Sequence, residues 1–174
     1  MKTLTQVLMV LLLFFTVTGF AQEKSKKQVK EEQKLERQKQ TEAIVNAKTF
    51  VFYAKTALPQ GYKTVQLNTR EYNVNFLPDL IVSYMPFYGR AYSGIGYGND
   101  NGLKFEGKPD EFTVTKGKKN FQVKAVVKGE NDVYTISLSV SFEGSASLTI
   151  TSNNRSPISY SGDISAPEKA EEKK

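Results

Sequence analysis

The chain has no histidine, no cysteine and no tryptophan among its 174 residues. Without histidine or cysteine there is no Ser-His-Asp or Cys-His nucleophile. The usual zinc ligands are missing for the same reason, as is haem held by either side chain. Without cysteine no disulfide can staple the fold, so an apolar core must carry it. No cofactor or metal is expected. No phosphate-cradling loop or dinucleotide fingerprint occurs, and Gly94-Ile95-Gly96-Tyr97-Gly98 lacks the following helix that would make it one. Asn99, Asp100, Asn101 and Glu106 offer oxygen ligands, but their spacing is not that of an EF-hand. Long hydrophobic runs are scarce too. The one at residues 7–15 is much shorter than the roughly 20 residues that span a bilayer.

That run belongs to an expected export signal at residues 1–21. Lys2 supplies its positive start, and Gly19-Phe20-Ala21 places small residues at the −3 and −1 positions of a cleavage site. No transmembrane segment is expected once it is removed. The chain carries 24 Lys and Arg against 18 Asp and Glu, a net charge of +6. Lys24, Lys26, Lys27, Lys30, Lys34, Arg37 and Lys39 crowd the segment after the signal. In an exported protein this excess does not point to nucleic acid; it serves solubility or attraction to an anionic envelope surface.

Residues 22–48 are rich in Lys, Glu and Gln and contain no Pro or Gly, which predicts one charged helix. Val29 and Leu35 are too few for a buried stripe, whereas Ala43, Ile44 and Ala47 share a face. The last two turns are expected to dock and the first part to be solvated. From Thr49 the hydrophobic period changes from helix to strand, giving a β domain over 49–164 and a polar, disordered tail over 165–174. Phe50, Phe52 and Ala54 share one side, and Val74 and Phe76 alternate with Asn73 and Asn75. Asn101-Gly102 is a turn candidate leading into Leu103 and Phe105. The second half is cleaner. Tyr134, Ile136, Leu138, Val140 and Phe142 alternate with Thr135, Ser137, Ser139 and Ser141. Short turns at 116–119, 129–132, 143–144 and 153–155 make residues 111–164 a five-strand meander. The whole is mainly β: an antiparallel set of about eight to ten strands, closed as a barrel or stacked as a sandwich, preceded by the helix.

One stretch breaks the alternation. Tyr84-Met85-Pro86-Phe87-Tyr88-Gly89-Arg90-Ala91-Tyr92 crowds rings and a single cation into a loop-like segment that runs on through Gly94, Gly96, Gly98 and Gly102. Rings left in water are costly, so something must cover them. They either close one end of the core or receive a partner. Tyr84, Phe87, Tyr88, Arg90 and Tyr92 are therefore the candidate ligand-binding residues, with Arg90 able to stack on a ring and present its fork to an anion.

Phe50-Val51-Phe52, the segment from Tyr84 to Tyr92, and Ile158-Ser159-Tyr160-Ser161-Gly162 resemble those of a family of small exported proteins of Gram-negative bacteria, domain of unknown function 4251. The likeness runs over about residues 40–164. It implies a single exported domain in the periplasm or beyond, and it brings no activity, substrate or site residue with it.

Three functional classes follow from the residues. The first is a non-catalytic binding module that takes a small apolar or amphipathic ligand at the aromatic end. The second is an envelope protein that contacts a partner protein or surface through its basic helix. The third is an enzyme acting on glycans through paired carboxylates. Its candidates (Glu71, Asp79, Asp110, Glu111, Glu143 and Asp163 among them) fall mostly in turns or on polar strand faces, where solvated charges belong. No catalytic residue is assigned.

Overall fold

The structure, a computed structural model, describes residues 26–92, 102–130 and 132–167. The expected signal at 1–21, Asn101 of the expected turn, the glycines between 94 and 98, the calcium candidates Asn99 and Asp100, and the tail from 168 lie outside them. The chain divides into two compact units, Met1–Gln33 and Lys34–Lys174. Of the first, residues 26–33 are described, and all are exposed helix.

In the second unit a charged helix gives way to β-structure. The helix is α1 (Lys26–Asn46), whose last residues belong to this unit; the strands are β1 (Phe50–Pro59), β2 (Val65–Gln66), β3 (Asn73–Leu77), β4 (Leu80–Met85), β5 (Leu103–Gly107), β6 (Pro109–Lys116), β7 (Asn120–Lys128), β8 (Val133–Ser141), β9 (Ser145–Ser152) and β10 (Ile158–Ser165). They form one antiparallel 10-stranded sheet in the order β5-β4-β3-β1-β10-β9-β8-β7-β6, with β2 added beside β1. The strands from β6 to β10 are the expected meander, each paired with the next.

The sheet curls into a nearly closed barrel rather than a sandwich, and its closure is covalent. The strands at the two ends of the path, β5 and β6, are consecutive stretches of chain separated only by Lys108. The first pairs with β4 and the second with β7. At this corner the backbone of Gly107 comes so near β7 that a Cβ would lie 2.9 Å from the Lys128 carbonyl oxygen.

Period-two alternation fills the interior. Phe52, Phe76, Phe121, Ile136, Leu138, Leu148, Ile150 and Tyr160 are all buried, as strands with one apolar face require. The opposite face of β8 carries Thr135 and Ser137 to solvent. The last two turns of α1 do dock, but on a different stripe from the one expected. Thr41 and Val45 are buried and Ile44 packs on the core, while Ala43 and Ala47 are exposed. Near its end the helix meets β6, where Lys116 Nζ contacts Glu42 at 2.5 Å, and just past it Lys48 Nζ donates to the Phe112 carbonyl at 2.6 Å. Lys48 leaves the helix with φ 53, the left-handed turn that swings the chain into β1.

Candidate functional site

β4 stops at Met85 because Pro86 has no N–H to give to a ladder. The chain then folds back as a tethered loop. Tyr160 Oη, inside the barrel, donates to the Pro86 carbonyl at 2.6 Å. The Arg90 amide donates to Ser156 Oγ at 3.0 Å, and the Ser156 amide returns a bond to the Arg90 carbonyl at 2.8 Å. The Tyr92 amide reaches the Asn154 carbonyl at 2.7 Å, and Ala91 bridges Arg155. Gly89 has no room for a side chain: a Cβ would sit 2.4 Å from Ser156 Oγ and 2.7 Å from the Phe87 ring. Replacing Tyr160 by phenylalanine is expected to cost about 1–3 kcal/mol by urea unfolding, since it leaves the Pro86 carbonyl without its partner.

The five candidate residues separate into two groups. Tyr84 and Phe87 line a hollow of about 220 Å³, together with Tyr72, Met85, Pro86, Gly102 and Lys104. Tyr72 and Tyr84 stack with ring centroids 6.4 Å apart, and Lys104 Nζ stands 4.5 Å above the Tyr84 ring. Phe87 packs on the core with the Arg155 guanidinium 5.2 Å over its ring. Tyr88, partly exposed, lies near the Tyr72 phenol. Arg90 and Tyr92 stand apart from that hollow. The Arg90 side chain is exposed and its Nε donates to Tyr62 Oη at 3.5 Å, with Tyr92 near enough to add to the field at its guanidinium. The cation on a ring in this loop is thus Arg155, read from the sequence only as a turn residue; Arg155 Nη1 also donates to the Gly102 carbonyl at 2.8 Å. Its pairing with Ala91 crosses most of the β domain, and no spacing in the sequence signals it.

The phenols here are held neutral. Burial, with a smaller contribution from the Tyr72 phenol, raises the Tyr88 pKa. Burial chiefly raises Tyr160, with Tyr88 adding to it and Arg155 opposing. Tyr160 thus keeps the proton that it donates to the Pro86 carbonyl. Elsewhere the carboxylates pair at the surface: Glu143 with Lys34 at 2.8 Å, Asp110 with Lys128 at 2.9 Å, and Asp163 with Lys55. Lys34 holds the Glu143 carboxyl below its usual range by hydrogen bond and charge. Among the described residues no group of three or more His, Cys, Asp or Glu is placed to hold a metal ion. A larger cleft, about 570 Å³, opens beside β5 and is lined by Lys104, Phe105, Glu106, Glu130, Asp132, Tyr134 and Arg155 among others. The hollow presents ring faces and one cation, and the cleft presents ring faces, cations and carboxylates.

No curated protein matches the chain. Among solved structures, it is similar to a DUF4251 family protein from Bacteroides eggerthii, with a TM-score of 0.59 and 17% identity over 75% of this chain and 87% of that one. At that identity the likeness shows the fold alone. The family model described as domain of unknown function (DUF4251) matches residues 32–164, which takes in most of the helix, every strand of the barrel and the tethered aromatic loop, and the chain belongs to that family.

Proposed function

We propose that the chain is an exported, non-catalytic binding module of the bacterial envelope that takes a small amphipathic ligand at its aromatic end. The observation that carries this is the hollow of about 220 Å³ between the Tyr72–Tyr84 ring pair and the Pro86–Phe87 turn, with Lys104 above a ring. Rings flanking a hollow suit the apolar part of a ligand, and a cation at its edge suits an anionic head. The barrel interior is filled by side chains, so the ligand sits at this rim and not inside the barrel as in larger β-barrels. Tyr88 lies near Tyr72 outside the lining of the hollow, and Arg90 and Tyr92 stand apart from it, so the reading rests on Tyr84 and Phe87 of the five candidates. Export rests on the character of residues 1–21, and recovery of the chain from the cytoplasmic fraction would remove that half of the proposal.

The test uses anilinonaphthalene sulfonate, an aromatic anion, in a fluorescence titration of the folded protein. Tyr84→Ala is expected to weaken binding about fivefold to tenfold, the contribution of one ring pair. Tyr84 is 45% exposed, so its loss should leave the far-UV spectrum unchanged. Equal affinity in the variant would show that the probe binds elsewhere.

A further inference from the structure

We propose that a surface apart from the aromatic hollow, centred on Arg90 with Tyr62 and Tyr92 beside it, docks an acidic segment of a partner protein. Three stretches of chain converge there: residues 59–64 leaving β1, the tethered loop 86–92, and the turn 153–157 between β9 and β10. The first and third meet because Pro59 pairs with Ile158. The second and third are joined by the bond from the Tyr92 amide to the Asn154 carbonyl and by those between Arg90 and Ser156. The first and second meet where Arg90 Nε donates to Tyr62 Oη.

The rings and their supports select a protein. Tyr62 and Tyr92 are the most exposed large hydrophobic side chains among the described residues, at 56% and 69%. Exposed rings beside an arginine are the kind of side chain that anchors protein interfaces. Their backbones are nevertheless fixed. Pro59-Gln60-Gly61-Tyr62 is a tight turn, closed by the Tyr62 amide on the Pro59 carbonyl at 3.2 Å with Gly61 at φ 79, and the Tyr92 amide is held at 2.7 Å. Tyrosines carried on fixed turns among Gly, Asn and Ser contact a protein surface at low entropic cost. Charge then sets the sign of the partner. The three stretches contain Lys63, Arg90 and Arg155 and no Asp or Glu. Arg155 is engaged with the Phe87 ring and the Gly102 carbonyl, whereas the Arg90 side chain is exposed and has the Tyr62 and Tyr92 phenols as its neighbours. The carboxylate that reaches these stretches from β8's side, Asp132, accepts the Asn153 amide at 3.0 Å. A cation flanked by rings and not neutralised by a carboxylate complements an acidic segment.

The probe is an end-blocked peptide, Asp-Phe-Glu-Asp-Phe-Glu, titrated into isotope-labelled protein and followed by amide chemical shifts. Perturbations are expected at Tyr62, Lys63, Arg90 and Tyr92. The counterpart Asn-Phe-Gln-Asn-Phe-Gln should bind about tenfold more weakly, since only its charge differs. Arg90→Gln, and the double variant Tyr62→Ala, Tyr92→Ala, should each lower affinity for the acidic peptide about tenfold. Both variants should bind anilinonaphthalene sulfonate as the wild type does, which separates this surface from the aromatic hollow. Equal binding of the two peptides would overturn the assignment of an acidic partner, and equal binding by wild type and variants would overturn the site. Absence of shifts at these residues at the highest soluble peptide concentration would overturn the proposal. So would tighter binding of tetragalacturonate or of phosphatidylglycerol vesicles at the same residues, which would assign the surface to a glycan or a membrane.

Discussion

Replacing Gly162 by alanine is expected to destabilise the protein by about 3 kcal/mol, the upper end of the usual cost of overpacking. Gly162 lies in β10 opposite Ala54 of β1. A Cβ there would fall 1.9 Å from the Tyr53 carbonyl oxygen and 2.9 Å from its carbon, with the Phe52 ring at 3.1 Å. The nearest atoms are backbone, so no side chain can swing aside to relieve the contact. The ladder must separate, and it does so next to an irregularity already present, since the β1–β10 register shifts between Ala54 and Thr56. The sign is the sharp part of the expectation. In an ordinary strand interior, exchanging glycine for alanine stabilises by roughly 0.5–1 kcal/mol through chain entropy. A lowered urea midpoint with an unchanged slope would confirm the close approach. A raised midpoint would mean that β1 and β10 separate freely at this point.

The close approach at Gly162 was not legible in the sequence, whereas the strands around it were, and the difference is physical. Ile136, Leu138 and Val140 alternate with serines because one face of β8 is dry and the other wet, and that imprint is local. Turn chemistry at 143–144 is local as well: the Gly144 amide bonds back to the Ser141 carbonyl at 3.0 Å. Barrel closure is different. It depends on β5 and β6 finding partners at opposite ends of one sheet, and alternation within each strand is the same whether they pair with β4, with β7 or with each other. The docked face of α1 was misread for a related reason. Ala43 and Ala47 are apolar by type but offer little area, and the helix is turned so that the larger Val45, with Thr41 one turn earlier, enters the core instead. In the candidate site, the crowding of rings between Tyr84 and Tyr92 was visible. The division between Tyr84 and Phe87 on one side and Arg90 and Tyr92 on the other was not, because the loop is held by Ser156, Asn154 and Tyr160 from the far end of the chain.

The ring cluster between β1, β3 and β6 provides the largest effect. Phe76→Ala is expected to cost about 3–5 kcal/mol, the range for deleting a fully buried aromatic ring and leaving its cavity. Phe76 stacks on Phe50 at 4.6 Å and tilts against Phe112 at 6.1 Å, so its ring joins β1, β3 and β6 across the incomplete part of the barrel. Phe112 is in turn held from the helix side, its carbonyl by the Lys48 ammonium and its ring beneath the same ammonium at 4.8 Å. With Phe76 gone, the surroundings relax only partially, and the transfer and cavity costs add. The same variant should loosen the helix exit. The Thr49 amide, bonded to the Ile44 carbonyl at 3.1 Å, is expected to exchange faster than amides in β8 and β9, which are paired to each other along their length. Phe76→Leu, which refills most of the volume, should recover more than half of the stability but not the ring stacking. A cost below about 1 kcal/mol for Phe76→Ala would mean that β1, β3 and β6 do not share a core at this ring cluster.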